Sequence, residues 1–205
     1  MKKVIYNIMT FIVLIMAIIQ APFFYYYTFG MSVFFVAAPY LIIGLSLTIW
    51  LLIAALRSPK SQVTKFHRVG LILTISIGSL SLLFGERMIE KLDWKFRRNS
   101  REEIVQLVKE GKLKPNVSYN DIICTLDKWK FPPISNGGNE IAIHKSDSTA
   151  VTVEFFINSG FLNHYSAFVY TNDPEWIDDF EKQISYKKGL HINKQLDKYW
   201  YRVSY

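Results

Sequence analysis

The stretch Ser32–Leu56, SVFFVAAPYLIIGLSLTIWLLIAAL, decides the fold, because it runs for 25 residues without a charge. A hydrocarbon core about 30 Å thick needs about 20 apolar residues in a helix, so this segment predicts a membrane-crossing helix long enough to tilt. Pro39 removes a backbone donor within it and Gly44 comes about one turn later, which predicts a kink.

Two weaker segments flank it. Val4–Gln20 is 17 uncharged residues behind Lys2 and Lys3, a pattern shared with secretory signals. Cleavage after Ala21 would leave Ile19 where a small residue is expected and Pro22 just beyond the cut, so an uncleaved first span is predicted. Val69–Gly85 is the third span. It carries Thr74, Ser76, Ser79 and Ser81 with Gly70 and Gly78, small residues that predict its packing face. Between the first two spans, Ala21–Met31 has no charge and includes Phe23, Phe24, Tyr25, Tyr26, Tyr27 and Phe29. The three tyrosines there read as membrane-interface residues, as does Trp94 beyond the third span.

Charge divides the chain at the same place. Residues 1–85 hold six Lys and Arg and no acid; the other 120 hold 18 basic and all 17 acidic residues. The net charge of +7 is thus +6 on residues 1–85 and +1 on residues 86–205. A nucleic-acid binder carries its positive charge on the folded domain, so the basic balance points to membrane insertion and away from nucleic acid. The short link Arg57–Arg68 has four basic residues and His67, which predicts a cytoplasmic link and N-terminus. Arg87, Lys91, Lys95, Arg97, Arg98 and Arg101 oppose this by count, but charges leading into a long domain orient less strongly. The expectation is a multi-pass cell-membrane protein with residues 86–205 outside.

That second part reads as an α+β domain. Met88, Ile89, Leu92 and Phe96 recur at helical spacing, predicting an amphipathic juxtamembrane helix over 86–98. Ser100 with Glu103 forms a capping-box pattern that predicts a separate helix over 101–110, stopped by Gly111. Alternation over Glu140–Lys145, Thr149–Ile157 and Tyr165–Tyr170 predicts an antiparallel meander. Asp173-Pro174 starts a helix to about Ile184, and Tyr199–Ser204 supplies the last strand. The predicted sheet has about four strands with helices packed on one face.

Chemistry-bearing patterns are sparse. His67, His144, His164 and His191 show no metal-ligand spacing, and no cofactor motif stands out. Cys124, the single cysteine, sits beside Ile122 and Ile123 and reads as a buried apolar residue. Asn136-Gly137-Gly138-Asn139 lacks the lysine of a phosphate loop and reads as a turn. Asp178, Asp179 and Glu181 read as the wet side of a helix. Asn116-Val117-Ser118 matches the glycosylation acceptor pattern.

Aromatic residues interleaved with lysines give the best recognition candidates: Lys128, Trp129, Lys130 and Phe131, then Tyr199 and Tyr201. The leading expectation is a membrane-tethered module that binds another protein, such as an envelope-complex accessory or a toxin-neutralising protein. The alternatives are a membrane sensor that holds a small molecule in an aromatic pocket, and a hydrolase-like enzyme built on His164 or His144 with a carboxylate distant in sequence.

Overall fold

The computed structural model describes residues 2–59, 61–127, 132–145, 150–159, 164–186 and 193–205. The chain forms two compact units, Met1–Thr28 with Ser32–Leu92, and Phe29–Met31 with Asp93–Tyr205.

Three helices are long and apolar enough to cross a membrane. The first, α1 (Lys2–Tyr27), runs through Pro22 and past the predicted end at Gln20. A π-helix, Val33–Ala37, leads into α2 (Ala38–Arg57). Pro39 accounts for that local unwinding, since it cannot donate to the carbonyl four residues back. Ala38 instead donates to Val33 O, five residues back. The third helix, α3 (Lys65–Lys109), is 45 residues long.

In the first unit, polar side chains tie each helix to the next through backbone carbonyls. Gln20 Nε2 of α1 donates to Gly78 O of α3 at 3.3 Å, and the Tyr40 hydroxyl of α2 to Met16 O of α1 at 2.5 Å. His67 of α3, fully buried, places Nε2 3.2 Å from Leu51 O of α2. A carbonyl can only accept, so Nε2 carries the proton. Nδ1 lies 2.5 Å from the Thr10 hydroxyl. The expected packing face of α3 holds in part: Gly70 and Thr74 are buried, and a Cβ on Gly70 would collide with Thr10 Cγ2 and one on Gly85 would fall 2.7 Å from Ala21 Cβ, whereas Ser76 and Ser79 are exposed. In an apolar medium such close approach and polar cross-links are what hold helices together.

The predicted break in α3 at Ser100 is absent; the helix continues to Lys109. No Gly or Pro lies between Glu86 and Lys109, and Arg101 is held inside the helix by Asp93 two turns back. The juxtamembrane helix predicted over 86–98 is therefore one part of a longer continuous helix. Gly111 ends it at φ +70°, with Gly111 N donating to Val108 O and Lys112 N to Leu107 O, the paired bonds of a Schellman cap.

The second unit is built on an antiparallel sheet of six strands, against the four expected. These are β1 (Ile123–Thr125), β2 (Glu140–Lys145), β3 (Val151–Ser159), β4 (Tyr165–Thr171), β5 (Lys194–Asp197) and β6 (Trp200–Ser204), in the order β1-β2-β3-β4-β6-β5. The two unforeseen strands, β1 and β5, are the short edges; three or four residues carry too little alternation to be read. Helix α4 (Pro174–Tyr186) lies between β4 and β5 in the chain.

The helices cover both faces of the sheet, which corrects the two-layer expectation. On one face Trp94 of α3 packs on Phe168 and Trp200, and the Arg101 guanidinium lies 4.7 Å from the Phe168 ring centre. On the other, Phe180 of α4 joins Ala167, Val169, Tyr201 and Val203. Neighbouring residues of β4 and β6 thus point into opposite cores, as the pleat requires. A buried charge network fastens the 132–139 loop to α3. Asp93 pairs with both Arg97 and Arg101, Arg97 donates to the Pro132 and Pro133 carbonyls, and Arg101 to Ile134 O at 3.1 Å.

Candidate functional site

A cleft of about 540 Å³ opens in the second unit between α3 and the β5–β6 turn. Arg98, Asn99, Glu102 and Lys109 line it from α3, Tyr170 from β4, and Asp197, Lys198, Tyr199 and Trp200 from the turn. Arg98, Glu102 and Lys109 are spaced i, i+4, i+11 and so fall on one stripe of the helix. The stripe meets the sheet through three contacts. Arg98 pairs with Asp197, both partly exposed. Glu102 Oε2 accepts from Trp200 Nε1 at 2.8 Å. Lys109 Nζ donates to the Tyr170 hydroxyl at 2.7 Å and lies 4.5 Å from the ring centre.

These contacts use the charges unequally. The carboxylates of Glu102 and Asp197 are both engaged, whereas Lys109 rests on a neutral phenol and Lys198 over the Tyr199 ring at 4.9 Å. Neither lysine forms an ion pair among the described residues. An ammonium bonded to a hydroxyl keeps its full charge and has two further protons to donate. The cleft therefore offers cations to an incoming acceptor beside half-buried Tyr199, over a floor formed by the buried Tyr170 and Trp200.

The sequence-derived candidates fall in different places. Tyr199 lines the cleft. Tyr201, in β6, points away from its neighbour Trp200 and the cleft; it is 1% exposed and packs 5.2 Å from Phe180. Burial raises the pKa of its hydroxyl, and the charge of Glu181 adds to this. Lys128, Trp129, Lys130 and Phe131 lie outside the described residues, as does His191. At the end of α1, Tyr25 is buried with its ring 4.8 Å from that of Tyr26, while Tyr27 is exposed. Trp94 commits its ring to Phe168 and Trp200.

A second polar cluster lies under α4, centred on Glu154, a carboxylate only 1% exposed in the middle of β3. The hydroxyls of Tyr165 and Tyr205 donate to its two oxygens at 3.0 and 3.3 Å. Burial raises both phenol pKa values, and the adjacent Glu154 charge raises them further, so both stay protonated donors. His144 places Nε2 3.2 Å from Glu154 Oε1, but off the line of a hydrogen bond, with its ring 5.0 Å from Trp176. His144, expected on a solvated face, is thus half-buried beside a carboxylate. His164 is exposed, and its Nδ1 lies 3.1 Å from Tyr205 O. The cluster joins β2, β3, β4 and Tyr205.

Family models, curated proteins and solved structures yield no match to this chain. The geometry alone must therefore carry the functional reading.

Other motifs resolve into structure. Asn116 exchanges two hydrogen bonds with the Thr125 backbone, at 2.8 and 2.9 Å, so its amide caps the edge of β1. Cys124 is fully buried, and burial raises its thiol pKa away from the reactive range. In the Asn136–Asn139 turn, Asn139 Oδ1 accepts from Ile134 N at 2.7 Å and Asn136 Nδ2 donates to Ile157 O at 2.6 Å. Among the described residues no group of three or more His, Cys, Asp or Glu could hold a metal ion. Sequence reasoning missed Arg98, Glu102 and Lys109, although their helical stripe is readable once a helix runs through Ser100.

Proposed function

We propose that this protein is a membrane-tethered binding module whose six-stranded unit lies across the bilayer from the N-terminus and engages another protein through the α3–β6 cleft. The observation that carries the reading is the cleft itself, where two exposed lysines without carboxylate partners stand beside the partly exposed Tyr199 over buried Tyr170 and Trp200. Tyr, Trp and cationic side chains around a concave centre are the composition of interface anchors.

Two features support the side assigned to it. The short connection after α1 belongs to the same compact unit as the sheet: Gly30 N donates to Ser159 O at 3.1 Å, and Phe29 packs against Gly137 and Phe156. A connection after the first crossing and a domain after the third share a side only when α3 crosses. The second is the placement of the basic residues: the α2–α3 link is short and carries four, whereas the six that oppose it lead into a long domain and orient less strongly.

The test is a photo-reactive amino acid placed at Tyr199 in the full-length chain in its native membrane, with the same group at exposed Lys182 on α4 as the control position. A discrete protein adduct at Tyr199 that is absent at Lys182 is the expected result. Equal adducts at both positions, or none at Tyr199, would remove the cleft as the binding surface.

A further inference from the structure

We infer that the cleft takes an extended acidic peptide segment, one that presents two carboxylates about four residues apart on one face. This rests on the reading of the cleft as a protein-binding surface and specifies the partner's chemistry.

Arg98 and Lys109 are eleven residues apart on one helix, which at a rise of about 1.5 Å per residue separates their Cα atoms by about 16 Å. One end holds Lys109 against the Tyr170 hydroxyl; the other holds Arg98 with Asp197, beside Lys198. Between them the Glu102–Trp200 contact closes the middle; the indole N–H is neutral, so Glu102 keeps its charge there. A lone phosphate or a single carboxylate can reach one end only. An extended strand advances about 3.3 Å per residue and alternates its faces, so two side chains four residues apart lie on one face about 13 Å apart, and the long Arg98, Lys109 and Lys198 side chains make up the difference.

Charge decides the sign of the partner. The lining residues carry three cations against two carboxylates, and the carboxylates are those already bonded within the cleft. A basic segment would place its charge beside Lys109 and Lys198, with Glu102 the one lining carboxylate not paired to a cation, whereas two lysines await an acidic one. An acidic one gives Lys109 its missing ion pair and puts a second carboxylate at Lys198 and Arg98. Because the sites are on the rim, each pair is worth about 1 kcal/mol or less, equivalent to about fivefold in affinity. The paired arrangement, more than either contact, then sets the preference.

The experiment uses the full chain in nanodiscs of zwitterionic lipid and fluorescein-labelled, end-capped dodecapeptides read by anisotropy. One probe carries two Glu four positions apart in a Gly/Ser/Leu background; a second has one Glu, and a third has two Lys at the same positions. The two-Glu probe is expected to bind best, about fivefold more tightly than the one-Glu probe. Lys109→Ala and Lys198→Ala should each weaken it by about fivefold, whereas Lys182→Ala should not. Raising the salt on the unaltered protein should weaken binding progressively, which tests the charge term even if a cleft variant fails to fold.

Equal binding of all three probes, or complete competition by inorganic phosphate at the one-Glu level, would overturn the inference in favour of a general or small-anion site. A Tyr199 cross-link to a protein combined with no preference for the two-Glu probe would leave the binding reading standing and sink the acidic segment. Loss of the cross-link would remove both.

Discussion

Glu154 shows how a single residue escapes a reading based on alternation. In Thr149–Ile157 the apolar residues occur at alternate positions, so Glu154 reads as part of a wet face. Alternation implies one wet face only when a sheet is covered on one side, and here α4 covers the second. The carboxylate is buried instead and depends on two phenols. Tyr165→Phe leaves one of its oxygens without a donor and should cost about 1–3 kcal/mol, measured as a lower denaturation midpoint of the full chain in detergent. The pH dependence has a definite sign. Tyr165 and Tyr205 have folded-state pKa values raised above the ordinary 10.0 of tyrosine. Their contribution is complete below that value and is lost as pH rises beyond it towards the folded pKa values, because the unfolded chain releases the phenol protons first. The denaturation midpoint should therefore fall above about pH 10, with a shallower slope in Tyr165→Phe. A slope unchanged by that substitution would separate the alkaline loss from this cluster. Asp93 is a comparable case. Asp93→Ala would leave the guanidinium of Arg101 buried without its carboxylate, and a loss of about 3–5 kcal/mol should appear in the same assay.

At the level of elements, α3 and the 132–139 loop separate the readable patterns from the unreadable ones. The helical periodicity on both sides of Ser100 is legible, and so is the stop at Gly111. A local signal misleads between them: Ser with Glu three residues later matches a cap, yet the same residues fit a helix interior when tertiary contacts hold both sides. The difference is measurable. If Ser100 were a cap, Ser100→Ala would cost about 1 kcal/mol; inside a continuous helix it should be neutral or stabilise by a few tenths, roughly the difference in helix propensity. Circular dichroism with a denaturant titration distinguishes the two signs. The Asn136–Asn139 segment is turn chemistry, as its residue types imply, but its glycines are not equivalent. Gly137 has φ +80° and would set a Cβ 2.7 Å from the Phe29 ring, whereas Gly138, at φ +97°, meets open space. Gly137→Ala should therefore destabilise more than Gly138→Ala in the same titration, the excess reporting contact with Phe29. The edge strands are not legible, because β5 takes its place only through pairing with β6 and a three-residue β1 depends on Asn116 to complete its edge.

For the whole molecule, the apolar segments can be read from composition alone, since a hydrocarbon core imposes a length that no local preference overrides. Orientation is less legible because the sequence sets one basic cluster against another, and counting treats every arginine alike. The proposed orientation rests on the Phe29–Met31 connection, which belongs to the same unit as the sheet. A prediction about three positions taken together comes from this. With Cys124 replaced by Ser, single cysteines at Met31, Lys182 and Ser61, all exposed, report the α1–α2 connection, the sheet unit and the α2–α3 link. A membrane-impermeant maleimide applied to intact cells should label Met31→Cys and Lys182→Cys together and leave Ser61→Cys unmodified until the membrane is opened. Labelling of Ser61→Cys and Lys182→Cys from one side would mean that α3 does not cross. Labelling of Met31→Cys and Lys182→Cys from opposite sides would contradict the Gly30–Ser159 hydrogen bond, because no membrane can pass between two groups 3.1 Å apart.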